Sequence, residues 1–438
     1  MRARQTHTPT RAPRIGRRGF LTAGIAAAGL GLAGCGSGAA TSSGRARLRQ
    51  WNLFTGGDGA RLMEMHEAFR EEHPEIQLED TTFMWGDPFY TKFVMGAAGG
   101  RAFDIATVHL SRLRGLGTGT LISPVPRDLL AEHGITEDTV PTTVWDKCLV
   151  DGELYAIPLD THLVVTYYNR RICERAGVLE GDGTLVETNG EEELIDLLTE
   201  VKEATGQYGI VMETTGAWRQ FWSLYRQLGG EMTFDGELVI DDDKALRCLD
   251  FLRRVSEEGL APRASDAPGT PANFQNEIAG LMFGGNWELP TLRDAGMDFG
   301  MRPFPAVFGD PLGQGDSHAF VLPYRRTPDR EAENAAVAYA AWMLRNSLTW
   351  AGGGHTPAYL PVTGSEDYQE LEPQAGYREA AENVQFDPQA WFSGSAAQLQ
   401  SDANSVFQAV HTGATTPEVA LDRFKSAAQR LIDTPPPV

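Results

Sequence analysis

Residues 151–177, DGELYAIPLDTHLVVTYYNRRICERAG, constrain the fold more than any other stretch. Asp151-Gly152 is a turn signal ahead of an alternating run, Leu154, Ala156, Pro158. A nearly continuous apolar run follows, Leu163–Tyr168, rich in β-branched and aromatic side chains. A strand of that kind is buried on both faces, so it requires layers on either side of a sheet. Asn169 can cap a short helix, Arg170–Ala176, that stops at Gly177. Between the strands, Pro158-Leu159-Asp160-Thr161-His162 reads as a loop, because proline breaks a sheet ladder.

The preceding chain alternates strand and helix at the spacing of parallel α/β units. Arg47–Phe54 reads as a strand, residues 60–73 as a helix with Leu62, Met65 and Phe69 on one face, and Ile76–Phe83 as a second strand. A helix opens over Trp85–Phe93, and Asp104–Val108 is a buried strand with His109 just past its end. In open α/β sheets, ligands gather beyond the carboxyl ends of strands. That rule singles out Phe54, Trp85 and His109.

Further along, Glu191–Thr205 is an amphipathic helix and Tyr208–Met212 a strand. Trp218, Phe221, Trp222 and Tyr225 recur at helical spacing. Such a stripe is mostly core; Trp218, at the helix start, is the member placed to touch a ligand. Asp241-Asp242-Asp243 reads as a cap for the helix Lys244–Glu258 rather than a metal loop, since it lacks calcium-ligand spacing. Residues 274–288, FQNEIAGLMFGGNWE, hold out one large aromatic, Trp287, from a turn of small residues. Helices are expected at Arg330–Arg345, Ala396–Thr412 and from Pro417 to about Asp433, and Gly352–Pro361 is a Gly/His/Pro-rich loop.

Together these elements resemble the extracellular solute-binding proteins of family 1, the sugar receptors of ABC importers. The resemblance rests on Tyr155-x-x-Pro158, the apolar run, Tyr167-Tyr168-Asn169, Ala176-Gly177, the Phe274–Trp287 element and Thr416-Pro-Glu-x-Ala-Leu-Asp near the C-terminus. Asn276-Glu277 departs from the family, which often has glycine there. The resemblance implies an α/β fold of two lobes, with a ligand cleft between them. Residues 45–159 and 306–347 would form one lobe, and 160–305 and 348–438 the other. Crossings would lie near Pro158–His162, Met301–Ala306 and Asn346–Gly353. It also implies that Trp287 stacks on a sugar ring, whose C–H face suits a flat π surface. Asp160 would reach the cleft from the crossing and His109 from the strand end. Trp85, Trp218, Glu288 and Trp391 would supply further walls.

Residues 1–34 carry six arginines and no acid; the remainder has 32 basic and 59 acidic residues, a net charge of −27. That body would not bind nucleic acid or anionic lipid. Arg17-Arg18-Gly19-Phe20-Leu21 is a twin-arginine pattern, and Leu32-Ala33-Gly34-Cys35 resembles a lipobox. Residues 1–34 are therefore expected to be an export signal, with Cys35 taking the lipid and 35–44 serving as a tether. The expected protein is a lipid-anchored monomer on the extracytoplasmic face of the membrane, delivering a mono- or oligosaccharide to importer permease subunits. Cys148, Cys173 and Cys248 read as buried free thiols. No nucleophile elbow, phosphate loop, dinucleotide fingerprint or zinc spacing is found, so neither catalysis, cofactor nor metal is expected. Two further readings remain open: an exported glycoside hydrolase, since carboxylates are plentiful, and the same fold binding another solute such as a glycerophosphodiester, peptide or polyamine.

Overall fold

The computed structural model describes residues 45–100 and 103–436. The segments expected to be an export signal and a tether, with Cys35 between them, lie outside the described residues. Two mixed sheets organise the chain. The first runs in the order Ile76–Thr82, Ala46–Asn52, Ile105–His109, His318–Pro323, Ile122–Ser123, and its first three strands are parallel. His318–Pro323 enters antiparallel to Ile105–His109, with His318 opposite His109. The second runs Phe299–Pro303, Asp160–Asn169, Ala279–Gly285, Tyr208–Met212. Its central strand is the apolar run identified in the sequence. Val164 and Tyr168 face one hydrophobic core, while Leu163, Val165 and Tyr167 face another. Period-two alternation therefore feeds two buried faces, which is why the run is apolar throughout.

Local chemistry sets the element ends. Asn169 accepts from the Ile172 amide at 3.1 Å and caps Arg170–Ala176, which ends at Gly177 in the left-handed region. Asp241 accepts from the Lys244 amide, so the aspartate triplet caps a helix. Cys148, Cys173 and Cys248 are buried and unpaired. No helix among the described residues is long and apolar enough to cross a membrane.

The chain passes between the sheets in three places, and two of these differ from the sequence reading. Asp160-Thr161-His162 is not a loop; it begins the strand Asp160–Asn169 and is buried. Pro158 still ends a ladder, but of the first sheet, where it pairs with Ala319. The strand then gains partners on both sides: Asp316 opposite His162, and Thr356 opposite Thr161. Backbone pairing by these other passages is what no local pattern announces. Met301–Pro303 is likewise not a passage; it pairs with Val165–Tyr167 as an edge strand, and the chain returns at Gly315–Ser317. Phe304 and Val307 pack in the second body's core, whereas Trp350 packs in the first.

Candidate functional site

The three passages form the floor of a cavity of about 290 Å³ between the sheets. Its walls include Phe54, Trp85, His109, Trp287, Arg219 and Ser395, and its floor His162, Asp316, His318 and His355. The first-sheet strands deliver Phe54 and His109 at their carboxyl ends, as the strand-end rule requires. His109 is 3% exposed, and its Nδ1 lies 2.9 Å from the Tyr90 hydroxyl. Burial pushes its pKa well below the usual imidazole value, and His318 and His162 add to that. Trp85 stands beside it, 42% exposed, in an edge contact with the His109 ring.

Trp287 sits in a tight turn, Asn286–Glu288, at the end of Ala279–Gly285. A Cβ on Gly285 would lie 2.1 Å from the indole. The ring folds back over that bare backbone, so the glycine is a seat rather than a spacer. An indole held out by residues too small to pack would be expected to stand without neighbours. Instead, His162 meets it edge-on at 5.6 Å, and the Arg219 guanidinium lies 5.5 Å over its ring. Arg219 is itself paired with Glu213 at 2.7 Å. Glu288 does not line the cavity; burial raises its pKa to about 7.

Asp160 does not line the cavity either. It lies beneath it, fully buried, accepting from Trp350 Nε1 at 2.6 Å and from the His318 amide at 3.0 Å. Its oxygens also lie 3.1 Å from His162 Nδ1 and 2.8 Å from His318 Nδ1. Burial alone would raise its pKa, but His318 and His355 outweigh that and hold it well below the carboxylate range. Burial pushes His318 down to about 4. Burial would lower His355 too, yet Asp58 and Asp160 outweigh it and raise it. The floor therefore holds two imidazoles shifted in opposite directions, His318 down and His355 up. The carboxylates lining the cavity are engaged: Asp58 with His355 Nε2 at 2.9 Å, and Asp316 with the amides of Ser111 and Ser317 and the Ser111 hydroxyl.

Of the residues expected at the site, Trp287, His109 and Trp85 meet in the cavity, with Asp160 below and Glu288 behind. Trp218 does not reach it. It is 1% exposed, stacks on Trp222 and donates through Nε1 to Asp387 at 2.8 Å. An indole at helical spacing with Trp222 and Phe221 is held by core packing. Trp391 is also absent from the lining; it packs against the second core, and Ser395 of the same segment lines the cavity instead. The sequence reading missed His162, His318, His355 and Arg219. A signal existed for two of them: Asp160-Thr161-His162 and Asp316-Ser317-His318 repeat one Asp-x-His pattern at two passages.

Comparison with known proteins gives this architecture its relatives. The family of bacterial extracellular solute-binding proteins matches residues 55–348. The chain belongs to that family. The maltodextrin-binding protein MdxE of Bacillus subtilis is 20% identical over 220 residues. That match spans 48% of this chain and 49% of MdxE, so the chain covers about half the length of that curated relative. The GacH receptor of Streptomyces glaucescens, solved unliganded and with acarbose, is 19% identical with a TM-score of 0.72, covering 89% of this chain and 99% of that one. An ABC substrate-binding protein of Listeria monocytogenes, in complex with cycloalternan, is 17% identical with a TM-score of 0.73, covering 89% and 100%. These likenesses establish the two-lobed fold.

Proposed function

We propose that this family member is an extracytoplasmic receptor that captures a carbohydrate between its lobes and hands it to an ABC importer. The observation that carries the reading is the pairing of a half-buried indole, Trp287, with a floor of hydrogen-bonding imidazoles in the inter-sheet cavity. A sugar offers an apolar C–H face and a rim of hydroxyls, and those two surfaces match the two halves of the site. The relatives support the choice, since MdxE is named for maltodextrin and the GacH structure holds acarbose.

Charge argues against a phosphodiester. The lining carries one arginine and no lysine, and that arginine is paired with Glu213. A hydrolase needs two carboxylates free to flank one bond. The two that line the cavity, Asp58 and Asp316, are both tied to neighbouring side chains. We assign residues 45–159 and 317–350 to one lobe and most of the remainder to the other, with passages at 158–162, 314–317 and 351–357. Anchoring through Cys35 follows from the lipobox. A Cys35→Ala protein that is still lipid-labelled and membrane-held would exclude that anchor.

Thermal-shift screening against a panel of mono- and oligosaccharides tests the reading. A true ligand at a hundredfold excess over its Kd stabilises the fold by about 2.7 kcal/mol. Turnover of any glycoside would instead make the protein an enzyme.

A further inference from the structure

The floor of the cleft contains more nitrogen donors than a sugar site requires. Asp160, His162, His318 and His355 each offer one ligand atom, and those atoms lie within 4.8 Å of one another. All four residues are at most 5% exposed. The nearest oxygens of Asp160 stand 2.8, 3.1 and 3.5 Å from Nδ1 of His318, His162 and His355. Donors on a tetrahedral zinc at about 2.0–2.1 Å are separated by about 3.3 Å. The observed spacings bracket that edge. His355 Nδ1 has no hydrogen-bond partner although it is buried, and it faces Asp160. A buried ring nitrogen left unmatched is costly, and a metal is one partner that would satisfy it.

We propose that these four residues form a site for a divalent transition-metal cation of the zinc class, joining the passages 158–162 and 351–357 to the first-sheet strand His318–Pro323. Imidazole and carboxylate are the donor set that such an ion takes. The surroundings are those of a supported site. Trp350 Nε1 and the His318 amide fix the Asp160 carboxylate at 2.6 and 3.0 Å. His355 Nε2 bonds Asp58 at 2.9 Å, and the His355 ring stacks on Trp350. A carboxylate behind a ligating histidine fixes the ring and its tautomer. On coordination, the proton between Asp160 and Nδ1 of His162 and of His318 moves to Nε2 of the same ring or to solvent, His355 offers Nδ1 with its own proton on Nε2 toward Asp58, and the ion takes the three lone pairs. The route in is the cleft itself, which His162, His318 and His355 line. The ligands come from three segments 160–162, 318 and 355, so their sequence spacing carries no zinc motif. One ion would bond two passages to the end of a first-sheet strand and stiffen the hinge without touching Trp287.

The experiment uses the full chain, stripped with a chelator, dialysed, and loaded with Zn²⁺ or Co²⁺. The expected result is one tightly held ion per chain by elemental analysis, a raised melting midpoint, and the intense visible bands of four-coordinate cobalt. Asp58→Asn should weaken the metal about 10–100-fold as a positioning change. His318→Gln and His355→Gln should abolish stoichiometric binding, while His73→Gln, a residue outside the cluster, should not. A wild-type protein that retains no ion, or one whose ion survives both His318→Gln and His355→Gln, overturns the proposal. If the ligand variants fail to fold, the wild-type cobalt spectrum and Asp58→Asn decide it. Because metal content is read without sugar, a negative result leaves the carbohydrate reading standing, and the reverse also holds.

Discussion

At the scale of single residues, side chains expected to act alike have separate roles. Trp287 and Trp218 are both tryptophans near a chain turn, yet only Trp287 lines the cavity. Trp218 is fixed by Asp387, a buried carboxyl whose pKa burial raises to about 6. The folded state therefore binds more protons at this group than the unfolded state between about pH 4 and 6. By linkage, stability falls as pH rises through that window, and the loss is complete above it. Asp387→Asn keeps an acceptor for Trp218 and removes the charge. It should gain on the order of 1–3 kcal/mol relative to wild type at pH 8 and nothing at pH 4. Urea unfolding at both values measures this, and an equal effect at both would mean that Asp387 is not protonated in the fold. Trp287→Ala should weaken sugar binding at least about thirtyfold with the fold intact, since truncating a buried aromatic anchor commonly costs 2 kcal/mol or more. Calorimetry showing unchanged affinity would place the site elsewhere. The polar floor was only partly legible in the sequence. Three of nine histidines converge there from distant segments, and convergence is a property of the fold rather than of any local pattern.

At the scale of elements, periodicity was a sound guide wherever side-chain burial decided the structure. Glu191–Thr205, Arg330–Arg345 and Tyr208–Met212 have the bounds that their apolar patterns give. The failures fall where backbone pairing decides instead. Asp160–His162 is polar and follows a proline, yet it is strand because Gly315–Asp316 and Thr356–Pro357 bond to it. The turn after Ala279–Gly285 shows the same dependence on backbone. Gly285 has ordinary extended angles, φ −73° and ψ 149°, so an alanine there strains nothing by itself. Its methyl would nevertheless meet the Trp287 ring at 2.1 Å. Gly285→Ala should therefore displace the indole at an overpacking cost of about 1–3 kcal/mol. Sugar affinity should fall with little change in secondary structure. Titration with the ligand found by screening, followed by indole fluorescence, checks it; full affinity with an unshifted spectrum would mean that the ring has room that its seat does not show.

At the scale of the whole molecule, the lobes are two bodies with separate cores, joined by three short pairings along Ile157–Leu163. Two lobes are expected from the sequence, but the crossing it places near Met301–Ala306 falls instead on an edge strand and in the second core. Phe304 and Val307 look like any apolar loop residues until the core they fill is known. The cavity takes its walls from both bodies: Phe54, Trp85 and His109 from the first, Trp287 and Arg219 from the second. A ligand that touches both sets is held best when the sets are close, so its binding free energy favours the closed arrangement. A ligand with equal contacts in both arrangements would shift nothing, however tightly bound. Small-angle scattering at saturating sugar should therefore show a smaller radius of gyration than the free protein. Trp287→Ala should reduce that contraction at equal sugar concentration, and restore it when sugar is raised to saturate the weakened site, because Asn286 and the three passages remain intact. A radius unchanged at saturation in the wild type would mean that capture occurs without closure, so that the ligand's contacts to the two bodies are already complete in the free arrangement.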